Sequence, residues 1–153
     1  MINLNIDSEQ ELREFMRDLR NLDRDLAKGL NNNLREVLRR EVVPAAQQKA
    51  SWSSQIPRAI KPMVQAKRLG VRVSAKQARH ARPYEGLQAG LRPRSGGFRH
   101  PLFADRTKPR SSWKWYTQQF RPFLAPAMLE NADRAAQGVL EALDDAARKA
   151  GFS

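Results

Sequence analysis

The chain has 153 residues, a net charge of +12 and no cysteine. That length suits one domain with a single modest core, and without thiols no disulfide or thiolate metal site can form, which fits a reducing compartment. No run of about 18 apolar residues offers a membrane span, and residues 1–7 lack the basic start and apolar stretch of a signal peptide.

Ile2, Leu4 and Ile6 alternate with asparagines, the period-two pattern of a short strand. Ser8 to Glu11 reads as a capping box, followed by Leu12, Phe15, Met16, Leu19 and Leu22 at helical spacing. The pattern resumes from Leu26 through Leu30, Leu34, Val37, Leu38 and Val42. One straight helix over residues 8–49 would be about 60 Å long, far beyond a domain whose radius of gyration is about 15 Å. A break is therefore expected at residues 21–23, where Asn or Asp can cap a second helix, with Gly29 and residues 31–33 as the rival point. Pro44 should kink or fray the last turns. The apolar stripe reads as core, with contact to a second subunit as the lesser alternative.

Trp52 lies in a turn-like serine-rich stretch, and residues 60–66 and 71–74 read as a β-hairpin in which Gly70 supplies a positive φ. Met63, Val64, Leu69, Val71 and Val73 are expected on the core face. Lys61, Lys67, Arg68, Arg72 and Lys76 are expected on the other face and the tip, where they and Arg79 can meet phosphates or an acidic surface. Residues 76–97 offer little for a core and read as an extended basic arm, with room for a short helical turn near Ala78 or Tyr84. Leu102 and Phe103 are expected to return as a strand beside the hairpin.

Residues 98–127 hold two of the three tryptophans, four of the six phenylalanines and four of the nine prolines. So much aromatic surface marks a packing centre, and its setting among arginines points to a part that meets another molecule. The last helix starts near Pro126, with Met128, Leu129, Ala132, Ala136, Val139, Leu140, Leu143 and Ala147 as its stripe and Gly138 weakening it. Gly151 followed by Phe152 reads as a Schellman stop. The expected fold is a single α+β domain over 1–153: a short strand and helices (1–50), a β-hairpin region (51–75), an extended arm (76–97), a strand, loop and aromatic motif (98–125) and a C-terminal helix (126–151). N-terminal helices and the long C-terminal helix should pack on a small antiparallel sheet, with a long irregular basic loop.

Charge is uneven along the chain: residues 1–50 balance, residues 51–122 carry sixteen basic and two acidic side chains, and residues 123–153 carry three basic and five acidic. A localised positive field calls for an anionic partner, either nucleic acid or an acidic protein surface, although charge runs are often simply solvated. The residues do not point to an enzyme. His80 and His100 have no carboxylate or second ligand at metal spacing, Ser95-Gly96-Gly97 lacks the frame of a phosphate loop, and Asp144-Asp145 suits a solvated helix face. No cofactor or metal is expected.

Phe98-Arg99-His100-Pro101-Leu102-Phe103, a tryptophan at 113 or 115, Gln118 or Gln119, and Arg121-Pro122-Phe123-Leu124-Ala125-Pro126-Ala127 together resemble a family of minor tail components of long-tailed bacteriophages. These are the tail-completion, head-to-tail joining or neck proteins. The looser likeness covers most of the chain, including the Pro-x-Glu-Gly turn at residues 83–86. Ala104, where a glycine commonly follows, and the long insert at 105–112 depart from the pattern. The resemblance implies a structural virion protein, made in the host cytoplasm, that forms a hexameric ring at the neck. That ring would join the head connector or stopper to the tail tube or terminator, with double-stranded DNA in its lumen. It also implies that His100 holds a strand end by a hydrogen bond. Arg99, His100, Phe103, Trp113, Trp115, Phe120, Arg121 and Phe123 are then expected to anchor the fold or subunit contacts, with Arg99 and Arg121 tying loops to carbonyls or carboxylates. The alternative is a basic nucleic-acid-binding module that uses the middle segment.

Overall fold

The computed structural model describes residues 9–65, 68–85, 97–101 and 107–152. The strand expected at 2–6, the capping Ser8, Lys67, Leu102, Phe103 and residues 86–96 of the expected arm lie outside them. Six α-helices and two separate two-stranded antiparallel sheets are present among the described residues, an α+β arrangement.

Helices α1 (Glu9–Leu22) and α2 (Arg24–Glu41) are divided at Asp23. Its carboxylate accepts hydrogen bonds from the Asp25 and Leu26 amides at 2.7 and 3.3 Å, satisfying donors that a helix start leaves unpaired. The rival break does not occur: Gly29 and residues 31–33 lie inside α2, where the Asn31 amide donates to the Ala27 carbonyl. At Pro44 the expected kink is present: the helix is interrupted at Val42 alone, which keeps near-helical backbone, donates to the Leu38 carbonyl and accepts from the Ala46 amide. Helix α3 (Val43–Lys49) follows, with proline in its first turn where its missing amide costs nothing.

A short α4 (Ile56–Ala59) leads into β1 (Ile60–Gln65), which pairs with β2 (Arg68–Val73). The register sets Met63 opposite Gly70 and Lys61 opposite Arg72. Two expectations are corrected here. Gly70 sits within β2 with no positive φ, and alternation puts Met63 on the basic face with Lys61, leaving Val64, Leu69, Val71 and Val73 to pack inward. The short helical turn expected near Ala78 or Tyr84 is present, but this start of the arm is packed rather than loose. Residues Arg79–Glu85 form a 3₁₀ segment, and Ala78, Ala81 and Tyr84 are buried in the main core.

The second sheet pairs β3 (Gly97–Pro101) with β4 (Trp115–Gln119), not with the first hairpin as expected. Its second strand, β4, lies where the sequence reads as loop and aromatic motif. The expected single C-terminal helix is two, α5 (Leu124–Glu130) and α6 (Ala132–Lys149). Asn131 divides them; it is buried, its amide donates to the Ala127 carbonyl, and its oxygen accepts from Arg134. The stop is as expected: Gly151 has φ +86°, Phe152 N–H donates to the Ala147 carbonyl and Gly151 N–H to that of Arg148, a Schellman motif.

Two clusters form the core, one around Val42, Ile56 and Phe123, the other around Leu19, Leu30, Leu34 and Leu143, and Val64 packs against both. Helices α2 and α6 meet where Gly138 faces Val37; a Cβ at 138 would lie 2.7 Å from Val37 Cγ1. The glycine is a notch for a neighbouring helix rather than a mere weakness. Gly138→Ala should gain about 1 kcal/mol of helix propensity yet lose about 1–3 kcal/mol to overpacking, because a β-branched valine has few rotamers to retreat into. Urea melts should show net destabilisation, and a loss in the Val37→Ala/Gly138→Ala double variant smaller than the sum of the singles.

The same notch accounts for the altered α6 stripe. Close approach buries Ala135, Ala142 and Ala146, while Leu140, expected inside, is 50% exposed; Leu129, also expected inside, is 78% exposed at the end of α5.

Candidate partner-facing surface

Two distant stretches lock together beneath the second sheet. The Arg121 amide donates to the Tyr84 carbonyl at 3.0 Å. The Glu85 carboxylate accepts from the amides of Phe123 and Leu124, both at 2.6 Å, and of Ala125 at 3.4 Å. Hydrogen bonds to an ionised acceptor are among the strong ones, so Glu85 fixes where α5 begins. Phe123, fully buried, fills the space this creates.

Aromatic rings continue from this latch. Trp52 lies 4.6 Å from Tyr84, Tyr84 meets Phe98 edge-on at 5.1 Å, and Phe98 contacts His100 and Phe120 at 5.9 and 6.1 Å. Edge-on and tilted contacts suit the ring quadrupoles. The buried Trp52 Nε1 meets no acceptor among the described residues.

The β3–β4 hairpin carries aromatic surface outward from that column. Trp115 and Tyr116 are 38% and 46% exposed. Trp113 lies 6.1 Å from Trp115, the Arg99 guanidinium sits 5.7 Å over the Trp115 ring, and that of Arg110 sits 5.8 Å over Trp113. Trp115 Nε1 also donates to the Arg110 carbonyl at 3.4 Å. Each cation–π contact contributes about 0.5–1 kcal/mol at an exposed site, enough to fix ring orientation without hiding the surface.

The expected anchors thus divide. Phe123 belongs to the core and Phe120 half joins it. Trp113 and Trp115 form the outer surface. His100 is half-buried, and in the tautomer protonated at Nδ1 it donates to the Pro101 carbonyl at 3.2 Å. Arg121 sits 5.4 Å over Trp52, so among the described residues the guanidiniums of Arg99 and Arg121 meet indoles rather than the carbonyls or carboxylates expected. Lys61, Arg68, Arg72, Lys76 and Arg79 are all exposed, and Lys61 and Arg72 oppose each other across the first hairpin. Sequence reasoning gave no role to Trp52, Tyr84, Glu85 or Arg110. Of these Glu85 had a signal twice over, as the acid of the Pro-x-Glu-Gly turn in the resemblance and as one of two carboxylates among residues 51–122. Among the described residues no cluster of three or more His, Asp or Glu side chains is placed to hold a metal ion, and no helix is long and apolar enough to cross a membrane. No protein-family model, curated protein or solved structure matches the chain.

Proposed function

We propose that the chain is a structural virion protein of a tailed bacteriophage, a tail-completion or head-to-tail joining subunit. It assembles into a ring at the neck, between head connector and tail tube, with DNA passing through the lumen. The observation that carries this reading is the outward-facing hairpin with exposed Trp115 and Tyr116, held by a latch that joins Tyr84 and Glu85 of the Pro-x-Glu-Gly sequence to the Arg121–Ala127 stretch of the phage resemblance. Rigid aromatics on a braced hairpin, with arginines stacked on them, have the composition of interface anchors. Electron microscopy of virions decorated with an antibody to this chain should place it at the neck; label elsewhere, or none, defeats the reading. Trp115→Ala should change stability by less than about 1 kcal/mol, as for exposed sites, while cutting the yield of joined heads and tails at least tenfold in a complementation assay.

A second reading, a nucleic-acid-binding module, is favoured by the paired indoles flanked by Arg99 and Arg110, since bases stack on such rings. A salt titration separates the two. Sequence-dependent DNA retention that survives high salt supports the second reading, whereas weak binding lost steeply with salt is passive phosphate contact.

A further inference from the structure

We propose that the groove beside the first hairpin receives the α5–α6 face of a second copy of this chain, in a head-to-tail contact. This rests on the reading of the chain as a ring subunit and specifies which two faces meet.

The groove, of about 940 Å³, runs between β1–β2, the 3₁₀ segment and the start of α5. Met63, Val71 and Leu124 contribute its apolar lining, and Lys61, Arg72, Lys76 and Arg82 its cations. Lys61 and Arg72 are direct cross-strand partners, and like charges so placed repel. None of these four side chains has a hydrogen bond or ion pair with a described residue. The carboxylate in the groove, Glu85, is already held by the amides at the start of α5. Among the described residues, this cluster of cations around aliphatic surface is therefore left without a carboxylate partner. A duplex would use these cations through its phosphates but leave the apolar lining uncovered, and a single strand would find no aromatic ring among the described lining residues. An apolar helix face edged by carboxylates satisfies both features.

The chain itself carries such a face. Leu129 and Leu140 are 78% and 50% exposed, and Ala132 and Ala136 between them are exposed too. Single exposed leucines are ordinary, but Ala132, Ala136 and Leu140 recur at helical spacing along α6, and Leu129 stands at the end of α5 just before the break at Asn131. Asp133 beside it has no cation partner among the described residues, and Glu141 accepts a side-chain amide bond from Gln137 at 3.1 Å and lies within electrostatic reach of Arg40 without an ion-pair contact to it. Because groove and helix face are different parts of one surface, their contact is heterologous, the kind that repeats from copy to copy and closes into a ring when the rotation allows.

Sedimentation velocity of the full chain, from micromolar to sub-millimolar concentration at low salt, tests this. Wild-type protein should pass beyond dimer as concentration rises. Leu129→Glu/Leu140→Glu and Lys61→Glu should each stay monomeric at those concentrations. Lys61→Glu also places a carboxylate opposite Arg72, so its melting temperature should hold or rise, showing that the loss is not unfolding. An equimolar mixture of the two variants should form dimer and nothing larger, since one intact groove remains for one intact face. A monomeric wild type, variants that associate like wild type, or a mixture with no dimer or with larger species overturns the proposal. Virion composition separates its failure from that of the parent reading. A chain absent from virions removes the ring subunit altogether, whereas a neck ring that incorporates both variants normally removes only this pair of faces.

Discussion

Phe123→Ala should be the most damaging single substitution in the chain, with a loss of about 3–5 kcal/mol, the usual cost of emptying a fully enclosed phenylalanine site. Its side chain is fully buried between the latch and the main core cluster. A domain of this size has only about 5–15 kcal/mol in total, and each kcal/mol shifts the melting temperature by about 2–4 °C. Circular dichroism should therefore show a melt lowered by about 6–20 °C, or no cooperative melt at all. Phe123→Leu, which keeps most of the volume, should lose less than half as much. A Phe123→Ala protein that melts within a degree or two of wild type would mean that this ring does not sit in the core.

Glu85→Ala should follow, at about 2–3 kcal/mol. The substitution strands amides of Phe123, Leu124 and Ala125, and each buried donor left unpaired costs about 1–3 kcal/mol, less where water can reach it. Ala125 is exposed and Phe123 buried, so the penalty concentrates at the first two. Glu85→Gln keeps an acceptor oxygen but loses the charge, and should fall between wild type and alanine. Because Glu85 holds the backbone that places Phe123, the effects of Glu85→Ala and Phe123→Ala should not add, and a urea double-mutant cycle should return a coupling above about 0.5 kcal/mol. Strict additivity would mean that the carboxylate and the ring act independently. Weakening this latch should also loosen the β3–β4 hairpin, so Glu85→Ala should impair head-to-tail joining along with stability. Trp115→Ala, by contrast, should impair joining alone.

What could be read from the sequence were features whose cause is local. Asp23 divides α1 from α2 because a short carboxylate reaches amides two and three residues ahead. Gly151 ends α6 because a residue without Cβ takes a positive φ there at no cost. The β1–β2 pair followed from apolar residues around a short connection, and the aromatic richness of residues 98–127 did mark a packing centre. The tertiary structure alone decided what depends on distant residues. The β4 sequence Trp-Tyr-Thr-Gln-Gln has no apolar alternation, so its pairing with β3 left no period to detect. Glu85 caps a helix start 38 residues away, and no spacing rule reaches that far. In α6 periodicity favours large side chains, but the close approach of α2 at Gly138 makes room for alanines and leaves Leu140 outside. Capping and turn chemistry act through neighbours a few bonds away and are written in the order of residues. Which faces touch is settled by the shapes of surfaces that meet only after the chain has folded.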